Sequence, residues 1–139
     1  MHKIVRRLSF CYGHRLLDHE GKCSRPHGHN AVVEVEVSTD RLDERGMVCD
    51  FGEVKSRLME FIDAELDHRM ILHRNDPLVA ALEGTGDRPL VLEENPTAEN
   101  LARLIFRKAR ALEMPVVSVR LWETENCYAE YSDRPPGES

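Results

Sequence analysis

One short segment of the chain is dense in side chains that bind metals or transfer protons. Residues 22–30, KCSRPHGHN, contain Cys23, His27 and His29. The two histidines lie two residues apart at the entry to a predicted strand, where side chains of equal parity project from one face. His14 ends the preceding predicted strand, so a hairpin would bring it alongside them. Three imidazoles that converge from a sheet and leave one position open are what a catalytic zinc site requires.

Cys23 leaves two interpretations of this segment open. It could complete a closed site with His14, His27 and His29, in which zinc would be structural. A chain of 139 residues can bury a core without a metal, which weakens that interpretation. Cys23 also lies close in sequence to basic residues, which favour the reactive thiolate. The segment therefore predicts either a structural zinc site or an open zinc site with a catalytic thiol.

Two further positions carry acid–base groups, each with two interpretations. Asp67 and His68 fall at the end of a predicted helix, where His68 could simply interact with the helix dipole. Alternatively, they are an orienting carboxylate and a proton-transfer imidazole. Glu123 shares the parity of Val119 and Leu121 in a predicted strand. It is either a strand-end salt bridge or a ligand anchor that accepts two parallel N–H groups, as a 2-aminopyrimidinone ring offers.

Alternating and helical patterns predict the elements that must position these residues. Ala31, Val33, Val35 and Val37 alternate with polar residues, which predicts a strand with one buried face. The order β-β-α-α-β-β is predicted, with strands over 2–12, 29–38, 116–123 and 127–131, a helix over 50–68 capped by Asp50, and a helix from Thr97 to Pro115. The connection 71–96 is long for a simple loop, so we expect local structure and a functional role there.

Composition narrows the class of protein. The length predicts a single domain over residues 1–133, followed by a flexible polar tail over 134–139. The net charge of −6 argues against general nucleic-acid binding. No apolar run approaches the ~20 residues of a membrane span, and no signal peptide is evident. The four scattered cysteines fit a reducing compartment, so we expect a cytoplasmic protein without membrane or nucleic-acid partners.

Six segments resemble the 6-pyruvoyl-tetrahydropterin synthase/6-carboxytetrahydropterin synthase family. They are FCYGHRL, GKCSRPHGHN, GMVCDFGEVK, LDH, NPTAEN and WET, in order over nearly the whole chain. The resemblance implies an α+β tunnelling fold, a four-stranded antiparallel sheet with two helices between strands 2 and 3. It also implies a homo-oligomer, in which trimers stack as hexamers and active sites lie between subunits.

The resemblance also implies a role for each matching side chain. These roles are zinc ligation by His14, His27 and His29, catalysis by Cys23, Asp67 and His68, and pterin binding by Glu123, Thr97 and Glu99. Asp67 and His68 are expected to reach Cys23 of a neighbouring subunit. The chain departs from the family at Cys11 and Tyr12, where small residues are commoner, and in the length of the connection 71–96.

The implied activity is the zinc-dependent conversion of 7,8-dihydroneopterin triphosphate to 6-carboxy-5,6,7,8-tetrahydropterin. Triphosphate and acetaldehyde are released, on the route to queuosine and related 7-deazaguanine nucleosides. The alternative is 6-pyruvoyl-tetrahydropterin synthase, which keeps the three-carbon side chain. A folate-linked variant carries Glu where Cys23 stands, which counts against that activity here. An alternative of another class is a non-catalytic, zinc-stabilised pterin-binding module.

Overall fold

The computed structural model describes residues 1–133, so the tail expected to be flexible, 134–139, lies outside the described residues. The elements in chain order are β1 (His2–His14), β2 (His27–Thr39), α1 (Phe51–Glu65), β3 (Arg69–His73), α2 (Leu78–Glu83), β4 (Leu90–Leu92), α3 (Ala98–Ala111), β5 (Val116–Thr124) and β6 (Cys127–Ser132). A 3₁₀ turn, Lys22–Ser24, lies between β1 and β2. No helix within residues 1–133 is both long and apolar enough to cross a membrane.

One mixed sheet joins all six of these strands, in the order β4-β3-β1-β2-β5-β6. The pairs β1/β2, β2/β5 and β5/β6 are antiparallel, as predicted. The α+β class is confirmed, but the prediction of four antiparallel strands and two helices is wrong in detail. The connection 71–96, with the residues just before it, adds β3, α2 and β4. Strand β3 pairs in parallel with β1, and β4 pairs in parallel with β3.

The core lies between one face of the sheet and the helices. The predicted alternation in β2 is confirmed, because Ala31, Val33, Val35 and Val37 are almost completely buried. Helix α3 adds the largest buried stripe, and its fully buried side chains include Leu101, Ile105 and Ala109. The same face of the sheet continues to the end of the β1–β2 hairpin, where the histidines lie.

Caps and a bulge set where the site residues fall. The Asp50 carboxylate accepts the Gly52 N–H at 2.7 Å, and the Thr97 hydroxyl accepts the Asn100 N–H at 3.1 Å, so both predicted N-caps are confirmed. The β2–β5 register shifts after Glu36. Beyond that bulge the ladder continues regularly to Trp122, which leaves Glu123 near the hairpin end of the sheet.

Candidate active site

The β1–β2 hairpin brings His14, His27 and His29 together. His14 pairs directly with His27 across the two strands, and His29 pairs with Tyr12. One ring nitrogen from each histidine lies within 4.8 Å of the others. The Nε2 atoms of His14 and His29 are 3.2 Å apart. Two nitrogens that bind one tetrahedral zinc at their usual distances are about 3.4 Å apart, so this spacing is that of two ligands of a single metal ion.

Main-chain carbonyls fix the tautomers of two of these rings. His14 Nδ1–H donates to Pro96 O and His27 Nδ1–H donates to Arg25 O, both at 2.7 Å. The lone pairs of both Nε2 atoms are therefore available to a cation, and this outer hydrogen bond is typical of metal-binding histidines.

The protonation state of His14 also suits a metal site. Burial lowers the pKa of His14 to about 4, and His27 and His29 act in the same direction, whereas the hydrogen bond to Pro96 opposes them. His14 is neutral at neutral pH, the form that ligates metals. The donor set and its outer hydrogen bonds therefore fit a divalent metal ion.

Glu123 lies next to the histidine group. Its Oε2 is 3.4 Å from His29 Nε2, so His29 is the side chain that the strand-end carboxylate contacts. Glu123 and Glu99 line the same cavity of about 190 Å³. Thr97 does not line this cavity; its hydroxyl caps α3 instead. The structure thus brings two of the three predicted pterin-binding residues to one cavity beside the histidines.

Tyr12 is a site residue that the sequence pointed to only as a departure from the family. Its ring centroid is 5.1 Å from that of His14 and 5.6 Å from that of His29. The side chain is only 3% exposed, and its hydroxyl has no hydrogen-bond partner within residues 1–133. Burial, and secondarily the charge of Glu123, raise the pKa of Tyr12 far above its usual range. A buried, protonated hydroxyl therefore lies near the histidines and Glu123.

Asp67 and His68 occupy the turn between α1 and β3 rather than the helix. His68 has a φ of 59°, in the left-handed region that few non-glycine residues adopt. This turn lets the two adjacent side chains meet, and His68 Nδ1–H donates to Asp67 Oδ2 at 2.8 Å. The hydrogen bond from Cys11 N–H, and then the one from His68, lower the pKa of Asp67 below its usual value. The arrangement favours the orienting carboxylate and imidazole over the interaction with the helix dipole.

Cys11, rather than Cys23, is the thiol beside this pair in the same chain. Cys11 N–H donates to Asp67 Oδ1 at 3.0 Å, and Cys11 Sγ is 3.5 Å from both ring nitrogens of His68. Cys23 lies in the 3₁₀ turn and belongs to neither group of potential metal ligands in the described part of the chain. The closed interpretation of the zinc site therefore lacks its fourth ligand.

Comparison with known proteins finds relatives along nearly the whole chain. The sequence profile of the 6-pyruvoyl tetrahydropterin synthase family matches residues 3–134. The chain belongs to this family. It is 39% identical over 137 residues to the 6-carboxy-5,6,7,8-tetrahydropterin synthase of Rickettsia typhi, covering 94% of this chain and 99% of the relative. It is 33% identical over 141 residues to the enzyme of the same name from Haemophilus influenzae, covering 96% and 100%.

Solved structures share the family fold. An uncharacterized protein of Wolinella succinogenes superposes with a TM-score of 0.78 at 26% identity, over 96% of this chain and 98% of its own. The 6-pyruvoyl tetrahydropterin synthase of Caenorhabditis elegans gives a TM-score of 0.70 at 25% identity, over 95% of both chains. The family is enzymatic, so this member of it is an enzyme of pterin chemistry.

Proposed function

We propose that residues 1–133 form one catalytic domain that converts 7,8-dihydroneopterin triphosphate to 6-carboxy-5,6,7,8-tetrahydropterin, releasing triphosphate and acetaldehyde. The observation that carries this proposal is the convergence of three histidine nitrogens beside Glu123 and its cavity. The names of the relatives from Rickettsia typhi and Haemophilus influenzae support the carboxy product. The product would serve the synthesis of queuosine and related 7-deazaguanine nucleosides.

Zinc is the proposed cofactor, held by His14, His27 and His29. When bound, it would supply a Lewis acid that polarises the oxygens of the pterin side chain and makes the neighbouring C–H acidic. The protein supplies the orientation of the pterin ring. Glu123 would accept two N–H groups from the amino-pyrimidinone edge, as a carboxylate does from a guanidinium. Glu99 lines the same cavity and would contact the ring from α3.

Proton transfer is assigned to Cys23 and to the pair formed by Asp67 and His68. Ionised Asp67 holds Nδ1–H of His68, which leaves Nε2 to take up and return a proton. Cys23 does not lie beside His68 in the described part of one chain. We therefore propose a homo-oligomer, a trimer or a hexamer, in which His68 reaches Cys23 of a neighbouring subunit. The free cysteines suit a reducing compartment, and we place the reaction in the cytoplasm.

A 6-pyruvoyl product is the second candidate, because the matching family profile and the Caenorhabditis elegans structure carry that name. A non-catalytic pterin-binding module is the candidate of another class. Incubating the zinc-loaded protein with 7,8-dihydroneopterin triphosphate and measuring the product mass separates all three. We expect 6-carboxytetrahydropterin together with acetaldehyde. A product that keeps the three-carbon side chain would establish the second candidate, and unchanged substrate would contradict both enzymes.

A further inference from the structure

A second group of metal-binding side chains lies at the junction of β1 and β3. Cys11, Asp67 and His68 each place one donor atom within 4.8 Å of the others. Neighbouring residues of a strand point to opposite faces, so Cys11 leaves β1 on the face opposite Tyr12 and His14. The two groups share no donor atom, although Cys11 and His68 line a cavity of about 400 Å³ that also reaches His29 of the histidine group.

Main-chain hydrogen bonds hold together the two chain segments that carry the donors. Cys11 N–H donates to Asp67 Oδ1 at 3.0 Å, and the N–H of His68 donates to the Cys11 carbonyl at 2.7 Å. The parallel pairing of β1 with β3 begins at Tyr12 and Arg69, immediately after these contacts. A site that is held by main-chain hydrogen bonds loses little conformational entropy when a ligand binds.

The donor types and their spacing select a class of cation. Cys11 Sγ lies 3.5 Å from His68 Nε2, and a sulfur and a nitrogen that bind one tetrahedral zinc are also about 3.5 Å apart. The thiol is equally far from both ring nitrogens, so the His68 ring must turn to aim a lone pair at the cation. Its side chain is 78% exposed, which permits that turn. A thiolate, an imidazole and a carboxylate favour zinc over magnesium or calcium.

We propose that Cys11, Asp67 and His68 form a second divalent-cation site, for Zn²⁺ in particular, with water in the remaining position. A cation bound there uses the lone pair of His68 and so withdraws this imidazole from proton transfer. Excess zinc then inhibits the enzyme at a site separate from the catalytic metal. Only the inhibition rests on the proposed function; the binding site stands on its own geometry.

Cobalt titration of the whole protein tests the site. Thiolate-to-Co²⁺ charge transfer gives a near-ultraviolet band that imidazole and carboxylate ligands do not give. We expect two Co²⁺ per chain, of which one produces this band. The His14→Ala/His27→Ala/His29→Ala variant should keep the ion that gives the band. Cys11→Ser and, as a second variant, Cys11→Ala should lose one ion and the band while they keep the main-chain hydrogen bonds.

Matched thiol variants and a zinc titration complete the test. Cys23→Ser and Cys127→Ser should keep both ions and the band. A single Co²⁺ per chain in the unmodified protein, or a band that persists without the Cys11 thiol, would overturn the site. Excess Zn²⁺ should lower turnover at least tenfold in the unmodified protein and not in Cys11→Ser. Equal inhibition of both proteins would overturn the proposal that zinc inhibits through this site. If the protein shows no turnover, the cobalt band alone still tests whether the cation site exists.

Discussion

At the scale of single residues, the hydrogen bonds of the Nδ1 atoms determine which nitrogens of the histidine group can bind a metal. Pro96 and Arg25 accept the Nδ1–H groups of His14 and His27, so both rings present Nε2 to the same point. His29 adds a third nitrogen and also touches Glu123. The proposed metal ligands and the proposed pterin anchor are therefore adjacent, so each variant should be measured for both metal content and pterin binding.

Replacing His27 by Ala should remove the metal ion of the histidine group and leave the fold intact. The imidazole is one of three ligands, and losing a ligand should weaken metal affinity by more than the roughly 10–100-fold that an outer partner contributes. The core does not include His27, so the melting temperature of the metal-free protein should change little. Metal content by elemental analysis checks this, with His2→Ala as the control. A triple histidine variant that binds as many zinc ions per chain as the unmodified protein would refute the assignment.

Replacing Cys23 by Ala should abolish turnover and keep the metal. Its proposed role is proton transfer, and such a group contributes typically 10²–10⁴-fold to rate, so we expect a loss of about 100-fold or more. Cys49→Ala is the matched control, because that free thiol lies outside both groups of potential metal ligands within the described residues and outside the cavity that Glu123 lines. Parallel measurements of turnover and zinc content are needed. Loss of zinc from the Cys23 variant would instead support the closed structural site.

Replacing Glu123 by Gln should weaken pterin binding by about 2–4 kcal/mol, because a charged hydrogen bond is lost and a donor opposes the donor of the ligand. The three histidines remain, so zinc should stay bound although Glu123 touches His29. Calorimetric pterin titration, zinc content and melting temperature of this one variant separate the roles. Nearly unchanged affinity with a lowered melting temperature would show a structural ion pair and no anchor.

Residue types could be predicted better than residue contacts. The spacing of His27 and His29 predicted the histidine group because strand parity is a local property. No local pattern predicts the position of Cys11 beside Asp67, because this contact spans 56 positions and depends on a parallel strand pairing. The sequence leaves open whether Asp67 orients His68, because their contact needs the left-handed backbone of His68.

At the scale of elements, an ion pair links the connection 71–96 to the end of β1. Asp76 is buried and accepts hydrogen bonds from Arg15, next to His14 in sequence, and from Leu78 N–H at 2.8 Å. The hydrogen bonds from Arg15 are the main reason that the pKa of Asp76 is lowered. The connection is thus tied to the strand end that carries the first histidine.

Replacing Asp76 by Asn should destabilise the fold by about 2 kcal/mol, the usual worth of a charged hydrogen bond. A carboxyl group whose pKa is lower in the folded chain than in the unfolded chain stabilises the fold at pH values above its unfolded pKa. This stabilisation is lost as the pH falls through its folded pKa. The difference in unfolding free energy between the two proteins should therefore be constant near neutral pH and shrink below about pH 4. Urea unfolding at several pH values measures it. Glu93→Gln, which breaks an exposed pair with Arg74, should cost less than about 1 kcal/mol.

The elements with a clear hydrophobic period could be predicted from the sequence, and the very short strands could not. β2 and α3 have clear periods and caps, which the structure confirms at Val33 and Thr97. β3 and β4 have only five and three residues, too few to show a period, and both depend on non-local parallel partners. The length of the connection predicted that structure was present there, but its type could not be read from the pattern.

At the scale of the whole molecule, the sheet ends in two edge strands. Within the described residues β4 and β6 each pair on one side only, and Val91 and Tyr128 on them are exposed. Unpaired strand edges are templates for pairing with another chain. This arrangement supports the proposed homo-oligomer, in which one subunit supplies Cys23 and its neighbour supplies His68.

Mixing two inactive variants tests that shared site. Cys23→Ala and His68→Ala should each be inactive alone, because each lacks one proton-transfer group. If the groups come from different subunits, mixed oligomers contain sites with both groups intact, and activity should return after dissociation and reassociation. Turnover of the mixture against each separate protein is the measurement. A mixture as inactive as its components would place both groups within one chain.

The unfolded chain keeps part of the affinity of the histidine group for a cation. His27 and His29 are separated by a single glycine, so they can chelate a metal before any strand forms. His14 joins with its ring held by Pro96, 82 positions away, which requires the folded chain. A ligand stabilises a fold only by its preference for the folded over the unfolded chain. Saturating metal should therefore raise the melting temperature by less than the affinity for the native protein alone would give. The difference between the two values measures the affinity of the unfolded chain for the metal.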